Sequence, residues 1–155
     1  MLASNPAELC RHLARGKRLL GLDVGSKTIG LALSDLGLVI ASPFDTIRRS
    51  KFGKDAELLR GIIARQQVGG LVLGLPINMD GSEGPRCQSV RQFAANLDKL
   101  MPELPMAFWD ERLSTAAVTR TLIEADASRK RRAELVDKLA AAYILQGALD
   151  GLAPG

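Results

Sequence analysis

Histidine, tryptophan, tyrosine and cysteine are nearly missing from this chain of 155 residues, which holds one His, one Trp, one Tyr and two Cys. The single His12 lies outside the constellation of acids discussed below, which argues against a nitrogen-rich zinc centre. Cys10 and Cys87 match no metal-ligand or redox spacing and read as two reduced thiols. Aromatic residues make up only 4%, too few for the base-stacking platforms of single-strand-binding proteins. No apolar run reaches the ~18 residues that span a bilayer. Met1 to Arg15 mixes Asn5, Glu8, Arg11 and His12 among its apolar residues, unlike a signal peptide. A cytoplasmic protein with no membrane partner is therefore expected. There is no Walker A pattern, which disfavours a P-loop, and no internal repeat or low-complexity tract.

What is present is an ordinary globular composition, 46% apolar and 25% charged, long enough for one domain with a real core. The reading divides it into an N-terminal extension over 1–16, loose or forming a short helix, a single domain over 17–150 and a tail over 151–155. The formal charge is +4, compatible with a polyanionic partner. Basic residues gather as Arg129-Lys130-Arg131-Arg132 and as Arg48-Arg49-Ser50-Lys51 with Lys54. A solvated face is the default reading of such runs.

Strand patterns come first. Lys17–Val24 is a continuous apolar run ending in the turn Gly25-Ser26-Lys27. Thr28–Ser34 follows, then the turn Asp35-Leu36-Gly37 and a third strand, Leu38–Ala41, stopped by Pro43. Short turns between these strands predict an antiparallel meander. The period then changes: Lys54–Gln67 carries Leu58, Leu59, Ile62 and Ile63 at helical spacing. Gly70–Leu75 reads as a buried strand and Arg86–Met101 as a helix with Pro85 in its first turn. Met106–Asp110 is a fifth strand. Helices are expected from Ser114 or Thr115 to about Ala125, and from about Arg131 to Leu149. The order β-β-β-α-β-α-β-α-α makes this an α/β fold, a five-stranded mixed sheet with helices on its faces. Strands joined through helices should run parallel.

Against this frame three carboxylates stand out, because an acid among apolar neighbours pays desolvation unless something compensates it. Asp23 ends the first run. Strand parity places it with Leu19, Gly21 and Gly25 on one face, where the glycines leave room for a ligand. Glu111 follows the fifth strand, and if that strand breaks at Asp110, Glu111 sits at its carboxyl tip, where open α/β sheets bind ligands. Asp137 shares a helical stripe with Ala140, Ala141 and Ile144. For one acid alone, pairing with Arg131, Lys138 or a loop donor would be the better reading. Three acids at such places favour a site for a hard divalent cation, Mg²⁺ or Mn²⁺, as one ion or two. A pair about 4 Å apart can activate a water and stabilise the leaving oxygen of a phosphodiester.

Two loops flank these acids. Asp23 to Gly30 forms a tight hairpin with Lys27 at its tip, a phosphate-approach loop or simply a turn that needs glycine. Gly74 to Pro85 is a polar loop opening onto a helix N-terminus, where Asn78 and Arg86 could meet a phosphate. Arg129, Lys130, Arg131 and Arg132 precede the Asp137 helix and are candidates for backbone-phosphate contacts. Arg112 is read either as a structural partner of Asp110 or Glu83 or as a functional residue of the site.

Four stretches in order carry a resemblance. They are Gly21-Leu22-Asp23-Val24-Gly25 with Gly30, and Gly74-Leu75-Pro76 through Asn78 to Gly84. Then come Asp110-Glu111-Arg112-Leu113-Ser114-Thr115, and Asp137-Lys138-Leu139-Ala140-Ala141 with Ile144-Leu145-Gln146. Over nearly the whole chain, from Lys17 to Leu149, the sequence resembles the YqgF/RuvX family, a branch of the RNase H-like nucleases. That resemblance implies an RNase H-like fold and a metal-dependent nuclease, with Asp23, Glu111 and Asp137 as its catalytic and metal-holding triad. It implies nucleic acid as partner: precursor 16S ribosomal RNA matured at its 5′ end, or branched four-way DNA, since the family is also described as a Holliday junction resolvase. A monomer suffices for the first and a homodimer suits the second. Two readings of other classes remain: an actin-like nucleotide-binding protein, which shares the Asp-X-Gly hairpin but needs two related halves, and a non-catalytic nucleic-acid-binding protein.

Overall fold

The computed structural model describes residues 1–113 and 129–152, with the backbone alone over 129–136. The elements are α1 (Pro6–Arg11), β1 (Arg18–Val24), β2 (Thr28–Ser34), β3 (Ala41–Arg48), α2 (Phe52–Arg65), β4 (Val68–Leu75), α3 (Pro85–Leu100), β5 (Met106–Asp110), a 3₁₀ turn (Glu111–Leu113) and a long helix, α4 (Arg129–Leu152). The expected helix after Ser114 lies outside the described residues. Sheet order is β3-β2-β1-β4-β5. β1–β2 and β2–β3 pair antiparallel, whereas β1–β4 and β4–β5 pair parallel. This is the mixed sheet expected from the element order.

The apolar runs of β1 and β4 are continuous because both faces of the sheet are covered. Leu20, Leu22, Leu71 and Leu73 face α2 and α3 and pack with Leu59, Phe93 and Leu97. Leu19, Ala32 and Val72 face the other way, against Ala140, Ala141, Ile144 and Leu145 of α4. Each fully buried Leu or Ile contributes about 1.5–3 kcal/mol. Alanines let α4 approach closely, and so does the sheet: a Cβ on Gly21 would stand 2.8 Å from the Leu145 Cβ and 3.1 Å from the Ala141 carbonyl.

Two expectations are corrected. The third strand is not Leu38–Ala41 stopped by Pro43; it begins at Ala41 and runs through Pro43 to Arg48. Leu38–Ile40 belongs to a loop whose Val39 and Ile40 amides donate to the Asp35 carboxylate. Pro43 is tolerated because β3 is an edge strand, where a missing N–H costs no ladder bond. The register slips beside it, from Leu31↔Asp45 to Ala32↔Pro43, leaving Phe44 as a bulge. The N-terminal residues are also not loose. Asn5 caps α1 by accepting the Glu8 amide at 2.8 Å, and Leu9 is buried. Leu2 bridges to Met106, with Ala3 N–H donating to the Met106 carbonyl at 2.7 Å. Among the described residues no helix is long and apolar enough to cross a membrane.

Candidate acidic site

β1, β3, β4 and β5 end at one rim of the sheet, where β2 begins, and the acids lie there around two glycines. Asp23, 5% exposed, lies near the carboxyl end of β1. It shares strand parity with Leu19 and Gly21, both packed on α4, so its side chain rises on that face as the sequence pattern predicts. Across the ladder on one side its partner is Gly30 of β2. On the other side, one step beyond the pair Leu22↔Leu73, Gly74 of β4 is level with it. Asp23 is thus flanked by two residues without side chains, each about 4.8 Å away across the sheet.

The other two acids occupy the spaces those glycines leave. A Cβ on Gly30 would fall 1.9 Å from the Asp137 carbonyl oxygen and 3.0 Å from its Cα, so the α4 backbone rests directly on that strand. A Cβ on Gly74 would fall 3.2 Å from Glu111 Cγ and 2.4 Å from Ile144 Cδ1. Glu111, 7% exposed, opens the 3₁₀ turn where β5 breaks after Asp110. The Thr28 hydroxyl donates to Asp137 Oδ2, tying the first hairpin to α4.

The donors are all oxygens, and the carboxylates of Asp23 and Glu111 are almost fully withdrawn from water. That chemistry fits a hard divalent cation. Coordination is not preformed: among the described residues no three His, Cys, Asp or Glu side chains make a ready metal-holding group.

Asp110 does not join them. Its pairing with Leu75 puts it on the opposite face from Trp109, and it accepts from the Arg112 amide at 2.9 Å and from Nη2 at 2.8 Å. Arg112 beside it holds the Asp110 carboxyl below the usual range, and Asp110 in turn raises the guanidinium. Arg112 is therefore structural, paired with Asp110. Glu83 goes instead to Arg91, at 2.6 and 2.9 Å, whose guanidinium also covers the Phe108 ring.

The candidate phosphate ligands fare differently. Lys27 is exposed at the hairpin tip and Arg86 on the first turn of α3. Asn78 is also exposed, yet its amide donates to Ser82 Oγ at 3.0 Å and its backbone closes the same loop. Arg129, Lys130, Arg131 and Arg132 begin α4, but their side chains lie outside the described residues. Both cysteines are free, and burial pushes both thiols up, away from reactivity.

Sequence reasoning missed three contributors. Thr28 carried no signal, since its partner is 109 residues away. Arg49 was one member of a basic run. Its Nη1 donates to the Gly25 carbonyl at 2.7 Å, directly behind Asp23. Asp55 is fully buried, accepting the Ser50 amide at 3.1 Å, with Arg49 Nε 3.9 Å away. It shares a helical stripe with Leu59 and Ile62, the same signature as Asp137. An acid on an apolar stripe therefore marks a compensated charge, and not every one belongs to a site.

Comparison with known proteins finds relatives over most of the chain. The family model described as "RuvX: Holliday junction resolvase" matches residues 17–151. A protein of Paramagnetospirillum magneticum named "Putative pre-16S rRNA nuclease" is 72% identical over 145 residues, 94% of this chain and 93% of its own. Another of that name, from Zymomonas mobilis, is 65% identical over 141 residues, covering 91% and 85%. Among solved structures, Thermus thermophilus RuvC in complex with a Holliday junction substrate superposes with a TM-score of 0.54 at 14% identity, over 87% of this chain and 94% of that one. The yeast mitochondrial Holliday junction resolvase Ydc2 gives 0.50 at 12% identity, over 91% and 82%. At such identities the likeness is one of fold, RNase H-like.

Proposed function

From the premise that this chain belongs to the RuvX family of nucleases, we propose that it hydrolyses phosphodiester bonds in maturing the 5′ end of precursor 16S ribosomal RNA. The relatives at 72% and 65% identity bear that name. One observation carries the placement of the chemistry: Asp23 stands between Gly30 and Gly74, with Asp137 resting over the first and Glu111 over the second.

Asp23, Glu111 and Asp137 would hold one or two Mg²⁺ or Mn²⁺ ions. When bound, such an ion activates a water and neutralises charge on the phosphate. The chain's own part is to supply oxygens and to exclude bulk solvent. The low exposure of Asp23 and Glu111 keeps the local dielectric low, so their charge acts strongly on a cation. The Thr28 hydroxyl donates to one oxygen of Asp137 and ties that carboxylate to the hairpin that follows Asp23. Lys27 and Arg86, both exposed at the same rim, are placed to meet phosphates of the strand.

A second reading is supported by the family description and by the RuvC-like fold: cleavage of a four-way DNA junction. With one set of acids per chain, symmetric resolution would need two copies. An end-mapped cleavage assay in Mg²⁺ and in Mn²⁺ compares a precursor 16S rRNA with a four-way junction, using Asp23→Ala as control. RNA cut at a defined 5′ position, and lost in Asp23→Ala, supports the proposal. Paired cuts in the junction alone would replace it with the second reading, and cleavage surviving in Asp23→Ala would refute the site.

A further inference from the structure

Arg48 and Arg49 are neighbours in sequence with opposite surroundings. Arg49 turns inward: Nη1 donates to the Gly25 carbonyl at 2.7 Å, Nε lies 3.9 Å from Asp55, and the guanidinium sits 5.2 Å from the centroid of the Phe93 ring. Arg48, the last residue of β3, is exposed, and among the described residues its side chain makes no ion pair or hydrogen bond.

The ladder fixes where Arg48 points. It is registered opposite Thr28, and directly paired residues put their side chains on the same face. Thr28 reaches Asp137 from that face, so Arg48 rises on the α4 side, the side of Asp23. Two strand spacings, about 10 Å, separate β3 from β1. That is no more than about three phosphates' rise along one nucleic-acid strand. Lys27, exposed at the neighbouring hairpin tip, extends the same positive edge.

An arginine so near Asp137 has an obvious carboxylate to neutralise. Among the described residues Arg48 makes no ion pair with it, and Asp137 Oδ2 accepts from the Thr28 hydroxyl. The charge stays available to solvent beside a pocket of acids. Acids at one point, with an exposed arginine two strands beyond and Lys27 at the hairpin tip, match a polymer whose reacting phosphate lies at the acids and whose next phosphates need countercharge. Resting on the nuclease reading, we infer that Arg48, together with Lys27, grips the sugar–phosphate strand on the β3 side of the cleavage point. Arg49 takes no part in this grip, because its guanidinium is committed to the fold.

Fluorescence anisotropy with a single-stranded RNA from the precursor 5′ region, in EDTA so that nothing is cut, tests this across a salt series. Arg48→Ala should weaken binding about fivefold and reduce the log–log salt slope by about 0.7, one phosphate contact. Arg48→Lys should restore the slope, because it keeps the charge. In Mn²⁺ the loss in Arg48→Ala should fall on KM. Wild-type affinity and slope in Arg48→Ala, or no recovery in Arg48→Lys, would overturn the inference. If Arg48→Ala weakens binding while the wild type cleaves neither RNA nor DNA, the grip stands and the nuclease reading falls. If the wild type cleaves and Arg48→Ala binds with an unaltered slope, the grip falls alone.

Discussion

Gly30→Ala is the sharpest test of how the acids are assembled. The added methyl would sit 1.9 Å from the Asp137 carbonyl oxygen and 2.4 Å from its carbon, both backbone atoms of a long helix. Restoring ordinary contact requires α4 to withdraw by about 1.5 Å. No side chain can rotate to absorb that, so the cost belongs at the upper end of the ~1–3 kcal/mol typical of overpacking. For a domain of this size it corresponds to a Tm lowered by about 5–10 °C. The withdrawal carries the Asp137 carboxylate with it, and a misplacement of about 1 Å can cost 10²-fold in rate. Gly74→Ala is the internal comparison. Its methyl would meet Ile144 Cδ1 at 2.4 Å and Glu111 Cγ at 3.2 Å, side-chain atoms that can move, so the Tm loss should be about half as large. Gly53→Ala, in the first turn of α2 with nothing within 4 Å, should leave the rate unchanged and raise the Tm slightly, since alanine favours a helix over glycine. Thermal melts and initial cleavage rates in saturating Mn²⁺ measure all three. A Gly30→Ala protein with wild-type Tm and rate would refute the close approach of α4, and with it the account of how Asp137 reaches Asp23.

Asp23→Asn should lower the cleavage rate in Mn²⁺ at least a hundredfold while the metal-free protein melts no lower than wild type, since a buried charge beside other acids is removed; full activity would sink the assignment. Thr28→Val should weaken Mn²⁺ binding in calorimetry and cost about 1 kcal/mol of stability, with Thr28→Ser recovering both; unchanged Mn²⁺ affinity in Thr28→Val would show that the hydroxyl does not aim Asp137. Arg49→Ala strips the Gly25 carbonyl of its donor and leaves buried Asp55 without its cation, so urea titration should show a loss of about 2–3 kcal/mol; a loss under 0.5 would mean the pair is idle. The Asp110–Arg112 pair gives a pH signature. Arg112 depresses the Asp110 pKa in the folded state, so its contribution is complete above the ordinary carboxylate pKa, about 4, and disappears as pH falls through the depressed value. The stability gap between wild type and Arg112→Ala, from denaturant titrations at pH 7 and at pH 2.5, should therefore close in acid; a gap that widened would contradict the pairing.

The central strands were legible because burial on both faces leaves continuous apolar runs, as in Leu19–Val24 and Gly70–Leu75. The side on which Asp23 rises was legible too, because the period of a strand is a local property. Pairing is not local. That Gly30 and Gly74 stand on either side of Asp23 follows from register, and nothing within either strand announces it beyond a glycine where a side chain would be expected. The Thr28–Asp137 contact joins segments 109 residues apart. β3 was misread because Pro43 forbids a central strand but not an edge one, and edge status depends on the whole sheet. Val39 and Ile40, at 62% and 59% exposed, show the converse error, an apolar pair that faces water.

The two margins of the sheet share a consequence for self-association. A foreign strand adding to β3 would need an unbroken row of amides and carbonyls, and Pro43 and the bulged Phe44 interrupt that row. On the opposite margin, Leu2 and Ala3 already occupy the Met106 end of β5. Among the described residues both borders are thus partly blocked, so concentrated preparations of the folded protein should resist edge-to-edge polymerisation. Trimming residues 1–4 would expose a stretch of β5 and make that margin the first place for filaments to start.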